Sequence, residues 1–574
     1  MIFEMKNKII SILKLNIALI FTAILVGIIV SFVAQMFAFT AKEVYNFLQV
    51  AKTFDSYTFV LYKKNISYLP LLGCIVAAFS IGILIKIFKI DRWQGPADTI
   101  YSAHQTAGTS DVKKGFLSTL TAFFSISGGA SVGIYGPLVH FGGTLGAFLR
   151  RQTFIPQIPH DVIIGAGVAA AISAGFNSPI AGIVFSHEVV LRHFSMRALT
   201  AISLASISAS FAAQEIDLVS SPLQFSDLIQ FNLSDALFGL ILVGLFSSIT
   251  ALLFMKNLLY FNKLASFVKI PFYYKPIIPG LICGIFATFL PEVVGLGSET
   301  VVDVITNNNL ILFLILILIL KILLTSLCLS FGMFGGVLSP ALLIGACSGA
   351  LIFTIPYFEF DTSIISILAV SGMAAVSSSV IGAPITAIIL VFELTNSYQY
   401  SIAAILPIAL CNLITYVSFG SSLFDAQLKL RNISIGFGRE YILMNTTQIG
   451  DFADDNYLKL NKSCSVKKAL MMFKESNSTE GYFVDNDNKF LGKLKLIDII
   501  GSKKNNAYEF KENNFVKLKP SNNINQAIDI LSSFVGESVP IIDNQNKMLG
   551  IISESDVLKI YTDITNQIRF IEKS

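Results

Sequence analysis

Charge is scarce in this sequence. Only 14% of its 574 residues are charged, against about 25% in an ordinary soluble domain. The net charge is only +4, which excludes a strongly basic surface for nucleic acid. Six cysteines are scattered with no C-x-x-C pair, so neither a disulfide framework nor a zinc site is expected. Histidine is rare too, at five residues. His187 and His193 lie six apart around Glu188, whereas a metallopeptidase helix needs histidines four apart. No metal site is expected, and nothing points to an enzyme. A single tryptophan stands against 48 phenylalanines.

What the chain has instead is long apolar stretches. The run 17–39 is too long for a signal-peptide core and is followed by more of its kind. Lys6, Lys8 and Lys14 precede it, which favours a cytoplasmic N-terminus. Further spanning or half-spanning stretches are 68–87, 163–185, 237–258, 277–290, 310–331, 364–375, 385–392 and 402–416. Several are shorter than the ~20 residues a straight span needs and carry Gly or Pro, the mark of helices that stop inside the membrane. Past Arg431 the composition turns polar and alternating, so a boundary is expected at 432–445. The expected fold is an all-α polytopic membrane domain over 1–440, followed by a cytoplasmic α/β pair at 441–508 and 509–574.

Both parts are internally duplicated. Gly133-x3-Pro137-x4-Gly142-x3-Gly146 matches Gly336-x3-Pro340-x4-Gly345-x3-Gly349. Ala170-x8-Pro179-x8-Glu188 matches Ala375-x8-Pro384-x8-Glu393. More weakly, Gly95-Pro96-Ala97-Asp98 matches Gly297-Ser298-Glu299-Thr300 at a similar offset. The repeated halves span approximately 60–200 and 275–425. In the polar part, Val484 to Gly492 matches Ile542 to Gly550, each reading as strand, turn, strand, helix. A calcium loop is excluded there, because its sixth position lacks Gly and its twelfth lacks Glu.

The chemistry lies in the breaks. The stretch 129–143, GASVGIYGPLVHFGG, holds five glycines and Pro137. Such a backbone turns and starts a helix with its N–H groups exposed. A helix N-terminus carries roughly half a positive charge, and several aimed at one cavity hold an anion without binding it too tightly to release. The competing role for these glycines is close helix packing.

GIYGP, GGVLSP and GFNSPIAG, in their places within the repeats, resemble the CLC family of chloride channels and proton-coupled chloride antiporters. The polar repeats resemble the paired CBS domains that many members carry. The resemblance covers nearly the whole chain. It implies a homodimer in a lipid bilayer with one pore per subunit, antiparallel halves, and small anions, chloride first, held at helix N-termini. The implied location is the plasma membrane, a bacterial inner membrane, with both termini cytoplasmic. No cofactor is implied beyond an adenine nucleotide on the CBS pair, contacted by Ser553, Asp556 and Asp498; Lys495 stands where the first repeat's hydroxyl would be.

The departures from the family pattern matter most. Its first signature reads G-[KR]-E-G-P; here it is Gly133-Ile134-Tyr135-Gly136-Pro137. The gating, proton-taking glutamate falls on Tyr135, and the second proton-passing glutamate on Val189. A phenol has an ordinary pKa near 10, so it does not shuttle protons at neutral pH, yet it can donate a hydrogen bond. The family's central serine falls on Gln94 or Pro96, beside Gly95, and its central tyrosine on Phe424. What remains for the anion is backbone: Ile134, Tyr135, Gly136, Gly336, Val337 and Leu338.

These residues lead to passive anion transport gated at Tyr135 and modulated by the CBS pair. Two alternatives stay open: an anion/proton exchanger using Glu188 or Asp98, and a non-conducting sensor. Glu188 and Glu393 are expected to cap re-entrant backbone. Lys321, within 310–331, either raises the potential near the anion path or snorkels to the interface.

Overall fold

The computed structural model describes residues 2–50, 58–61, 64–105, 111–152, 158–218, 232–306, 310–354, 364–431, 433, 443–445, 447–476, 478–512 and 515–573. The chain divides into two compact units, Met1–Ile433 and Ser434–Ser574.

Among the described residues, the regular elements of the first unit are helices and one hairpin, β1 (Thr58–Leu61) with β2 (Lys64–Ser67). Helix α1 runs Ile2–Val50 and α2 Leu69–Phe88. The first half continues with α3 (Pro96–Ala103), α4 (Val112–Ser127), α5 (Tyr135–Arg150), α6 (His160–Phe176), α7 (Pro179–Phe185), a π-turn at Ser186–Leu191 and α8 (Met196–Ile216). After α9 (Leu233–Phe267) and α10 (Ile277–Phe289), the second half follows the same plan. It comprises α11 (Ser298–Thr306), α12 (Ile311–Ser330), α13 (Leu338–Phe353), α14 (Ile365–Ile381), α15 (Pro384–Thr395), α16 (Tyr398–Phe419) and α17 (Leu423–Lys429).

Among the described residues, seven helical stretches are long and apolar enough to cross a membrane. The stretch 163–185, read as one spanning or half-spanning stretch, is broken. Asn177 adopts a left-handed conformation at the end of α6, and Pro179 starts α7. The span Ala198–Ile216 escaped sequence reading because its mean hydropathy is only 1.2; serines and alanines make up much of it. Small residues also let the helices within each half pack tightly. A Cβ on Gly142 would sit 2.1 Å from the Gly167 carbonyl oxygen, and one on Gly345 would sit 2.4 Å from that of Gly372. Both proposed uses of glycine are therefore present: packing along α5 and α13, and exposed backbone at their starts.

Two carboxylates tie the halves together. Glu188 accepts hydrogen bonds from the N–H groups of Ile385 and Thr386, at 2.9 and 2.8 Å, and from Thr386 Oγ1 at 2.6 Å. Glu393 accepts from the N–H groups of Ile180 and Ala181, both at 2.8 Å. Each half thus caps the re-entrant helix of the other, α15 and α7. Negative charge at a helix N-terminus is stabilising, and these donors have no partner within their own helix.

In the second unit, β3 (Lys459–Leu460) runs parallel to β4 (Glu480–Val484), which pairs antiparallel with β5 (Phe490–Lys495). The repeat forms β6 (Ser538–Ile542) antiparallel to β7 (Met548–Ser553). The polar turns interlock rather than merely meeting solvent. Phe490 N–H donates to the Asn546 carbonyl and Met548 N–H to that of Asn488, both at 2.9 Å. Asn488 and Asn546 both adopt φ near +60° (62° and 63°), a conformation Asn tolerates better than most residues. A buried ion pair, Lys493 with Glu480 at 2.6 Å, lies beneath.

Candidate functional site

The starts of α5 and α13 meet back to back. Gly133 N–H donates to the Gly336 carbonyl at 2.8 Å, and Gly336 N–H to that of Gly133 at 2.7 Å. A Cβ on Gly136 would stand 2.7 Å from Gly336 Cα and 3.6 Å from Pro96 Cγ, at the start of α3. Only glycine permits this approach. The consequence is chemical. The N–H groups of Gly133 and Gly336 are consumed in joining the halves. Those of Ile134, Tyr135, Gly136, Val337, Leu338 and Ser339 bond to no acceptor among the described residues. Pro137 and Pro340 lack an N–H and begin the helices without wasting a donor. Two helix ends therefore present unspent donors close to one another.

Beside them lies a chamber of about 880 Å³, lined among others by Ile134, Tyr135, Leu138, Gly175, Ser339 and Leu342. Tyr135 is buried, and its ring stacks on Phe176 with centroids 3.6 Å apart. A Cβ on Gly175 would come within 3.1 Å of that ring, so the phenol is fixed in place. Ser339 was missed by sequence reading. Its Oγ is buried, has no hydrogen-bond partner among the described residues, and belongs to a residue that lines this chamber. The signal was available: a hydroxyl at the second position of a Gly-Pro-broken helix.

Lys321 does not snorkel. It is fully buried on α12, and Nζ donates to the carbonyls of Val293 at 3.3 Å and Gly295 at 3.0 Å. It forms no ion pair with a carboxylate among the described residues. The loop it holds, including Gly295 and Gly297, lines the chamber, as do Glu292, Glu299, Asp303, Asp217 and Lys42. An uncompensated buried cation thus stands behind a wall whose solvent side is mostly acidic.

At the neighbouring start of α3 the donors are spent. Gln94 N–H bonds to Ser118 Oγ at 2.9 Å, and Gly95 N–H to Asp98 Oδ2 at 3.0 Å; Pro96 has none. Asp98 lies between Arg92 (2.8 Å) and Arg431 (2.7 Å). Burial opposes its charge, but the Arg92 hydrogen bond and the charges of Arg431 and Arg92 hold its carboxyl below the ordinary range. Phe424 is buried at the start of α17 and brings no hydroxyl. Val189 is buried in the π-turn, next to the capping Glu188. Arg192, which follows that turn, pairs with Asp425 of α17.

In the second unit Ser553 and Asp556 satisfy each other. Ser553 Oγ donates to Asp556 Oδ2 at 2.6 Å, and Asp556 N–H donates to Ser553 Oγ at 3.2 Å. Asp498 is exposed on the other repeat. Lys495 pairs with Glu512 at 3.4 Å. Among the described residues, no His, Cys, Asp or Glu cluster is suited to a metal.

A family model described as voltage gated chloride channel matches residues 76–416, and one described as CBS domain matches 508–563. The chain is 28% identical over 304 residues to an H(+)/Cl(−) exchange transporter ClcA of Vibrio parahaemolyticus, a match covering 48% of this chain and 60% of that protein. The chain therefore spans less than two thirds of that relative's length. A slow cyanobacterial Cl−/H+ antiporter shares the fold at a TM-score of 0.64 and 20% identity, over 72% of this chain and 97% of its own. A eukaryotic CLC transporter does so at 0.59 and 15% identity, over 93% and 98%. The helical membrane domain with a C-terminal strand–helix pair is that architecture.

Proposed function

The chain belongs to the voltage gated chloride channel family, and from that premise we propose that it passes small anions, chloride first, without obligatory proton exchange. The observation that carries this is Tyr135. A phenol fixed on Phe176 stands at the donor-rich start of α5, where a coupled member would place a carboxylate. The anion is held by the N–H groups of Ile134 to Gly136 and Val337 to Ser339, with the Ser339 hydroxyl replacing the ligands lost at Gln94 and Phe424. Lys321 supplies a fixed positive charge against the acidic chamber wall.

The relative's name favours a second reading, a coupled exchanger, which needs another proton carrier. Glu188 is held by three donors and Asp98 by two arginines, which speaks against both. On our reading the protein works as a homodimer with cytoplasmic termini in a plasma membrane, and the CBS pair modulates it through an adenine nucleotide at Ser553 and Asp556. The test substitutes Tyr135→Glu and compares chloride flux from liposomes across external pH. A carboxylate competes with chloride for the same donors only when ionised. The variant's flux should fall as external pH rises, and the wild type's should not. A wild-type flux with that same pH profile would overturn the reading.

A further inference from the structure

Cys283 on α10 and Cys328 on α12 are both fully buried, and their sulfurs lie 3.3 Å apart. They stand 45 residues apart in the chain, a spacing that suggests no pairing. As hydrogen-bond partners two thiols gain little, since sulfur is a weak donor and a weak acceptor. They are, however, one small movement away from a disulfide, whose sulfurs stand about 2.05 Å apart. A third buried thiol nearby, Cys74 on α2, is committed elsewhere: it donates to the Gly128 carbonyl at 2.9 Å.

The pair is tied to the helix starts that carry the free donors. Lys321, Thr325 and Cys328 recur at i, i+4 and i+7 along α12 and share one face; all three are fully buried. That face meets the loops that build the site. Lys321 holds Val293 and Gly295 as described. Thr325 Oγ1 lies 3.4 Å from Ser131 Oγ, which donates to the Val293 carbonyl at 2.9 Å, two residues before Gly133. The Cys328 carbonyl accepts from Met333 N–H at 3.0 Å, closing the turn that leads to Gly336. On the other side α10 is pressed against α2. A Cβ on Gly280 would stand 2.7 Å from Ala78 Cβ, and one on Gly284 2.6 Å from Leu71 Cδ1. With α10 held, a pull between the sulfurs moves the last turn of α12. The turn after it has no slack, because a Cβ on Gly335 would stand 2.4 Å from Val132 Cβ. The pull therefore reaches Gly336 and the start of α13.

We propose that Cys283 and Cys328 form a modification site, a dithiol that hydrogen peroxide oxidises to a disulfide, tying α12 to α10 and weakening the anion site. One sulfur attacks a peroxide oxygen; the O–O bond breaks, and the departing hydroxide takes the thiol proton as water. The second sulfur attacks the resulting sulfenic acid; the S–O bond breaks, the S–S bond forms, and a second water leaves with the other thiol proton. The two sulfurs give up two electrons, and the peroxide takes them. Peroxide is uncharged and close to water in size, so local opening of the packing admits it where larger oxidants stay out. The disulfide stands on the geometry alone; its effect on flux rests on the transport reading.

The experiment treats full-length protein in liposomes with hydrogen peroxide and removes the excess with catalase. The protein is then unfolded in SDS, and its free thiols are counted by maleimide–polyethylene glycol shifts. Wild type should fall from six free thiols to four, while Cys283→Ala and Cys328→Ala each keep five. Flux at low chloride should fall about tenfold in the oxidised wild type, the worth of one hydrogen bond at the displaced donors. Dithiothreitol should restore it, since it reduces a disulfide and leaves methionine sulfoxide untouched. Neither variant's flux should respond to peroxide. Six thiols left in treated wild type, or an equal loss in Cys283→Ala, would overturn the pair. A linked protein with unchanged flux would overturn its hold on the anion site. A linkage formed in a wild-type protein that carries no anion would keep the disulfide and overturn the transport reading.

Discussion

Removing Glu188 should loosen the membrane domain more than removing Glu393, and the difference can be worked from the caps. Glu188 accepts three hydrogen bonds, two from backbone and one from Thr386 Oγ1; Glu393 accepts two. Hydrogen bonds to a charged group contribute about 1.5–3 kcal/mol each, and a donor left buried without a partner costs about 1–3 kcal/mol. Ile385 and Ile180 are about half exposed, at 51% and 50%, so these donors are only partly buried and the lower ends apply. Glu188→Ala should then cost about 3–4 kcal/mol and Glu393→Ala about 2–3 kcal/mol. Thr386→Val, which removes only the third bond, should cost about 1 kcal/mol. The assay is thermal unfolding of the detergent-solubilised protein, followed by loss of the native peak in size exclusion. The expected order of melting temperatures is wild type, Thr386→Val, Glu393→Ala, Glu188→Ala. A Glu188→Ala protein as stable as wild type, or less affected than Glu393→Ala, would refute the reciprocal cap as the tie between the halves.

Other expectations follow from single residues. Ser339→Ala removes a buried hydroxyl that has no partner among the described residues and should weaken chloride's half-saturation about three- to tenfold, a loss of about 1 kcal/mol, measured as flux against chloride concentration. Lys321→Met should slow anion flux, and Lys321→Arg should retain most of it; equal rates for Met and wild type would show that the buried charge does not reach the path. Asp98 has a depressed folded value, so its contribution is present above the ordinary carboxylate range near pH 4 and is lost as pH falls through the folded value. Unfolding scans between pH 5 and about pH 2 should show an acid loss of stability that Asp98→Asn largely removes.

Much of this was legible before any fold was seen, for a physical reason. Helix breaks announce themselves through Gly and Pro, and the duplicated spacing of Gly133–Pro137 and Gly336–Pro340 marked the two helix starts that meet. The capping roles of Glu188 and Glu393 were readable because each follows a Pro-started apolar stretch at one spacing, but not that each caps the other half. What stayed hidden depends on partners far away in the chain. Nothing near Gly133 reveals that its N–H is spent on Gly336, and nothing near Gln94 reveals Ser118. Lys321 in an apolar run reads equally as buried or snorkelling until the carbonyls of Val293 and Gly295 are seen around it. Ser339 was passed over because the family pattern directed attention to the lost hydroxyls instead.

The most direct measurement is the voltage of zero chloride flux, set with valinomycin across liposomes that hold a fixed chloride gradient and a varied pH gradient. A passive pathway stops at the chloride equilibrium potential whatever the pH difference. That is the result expected with Tyr135 at the gate and Val189 in the π-turn. A zero-flux voltage that moves with the pH gradient would mean protons are carried in fixed proportion to chloride, and would contradict the central claim.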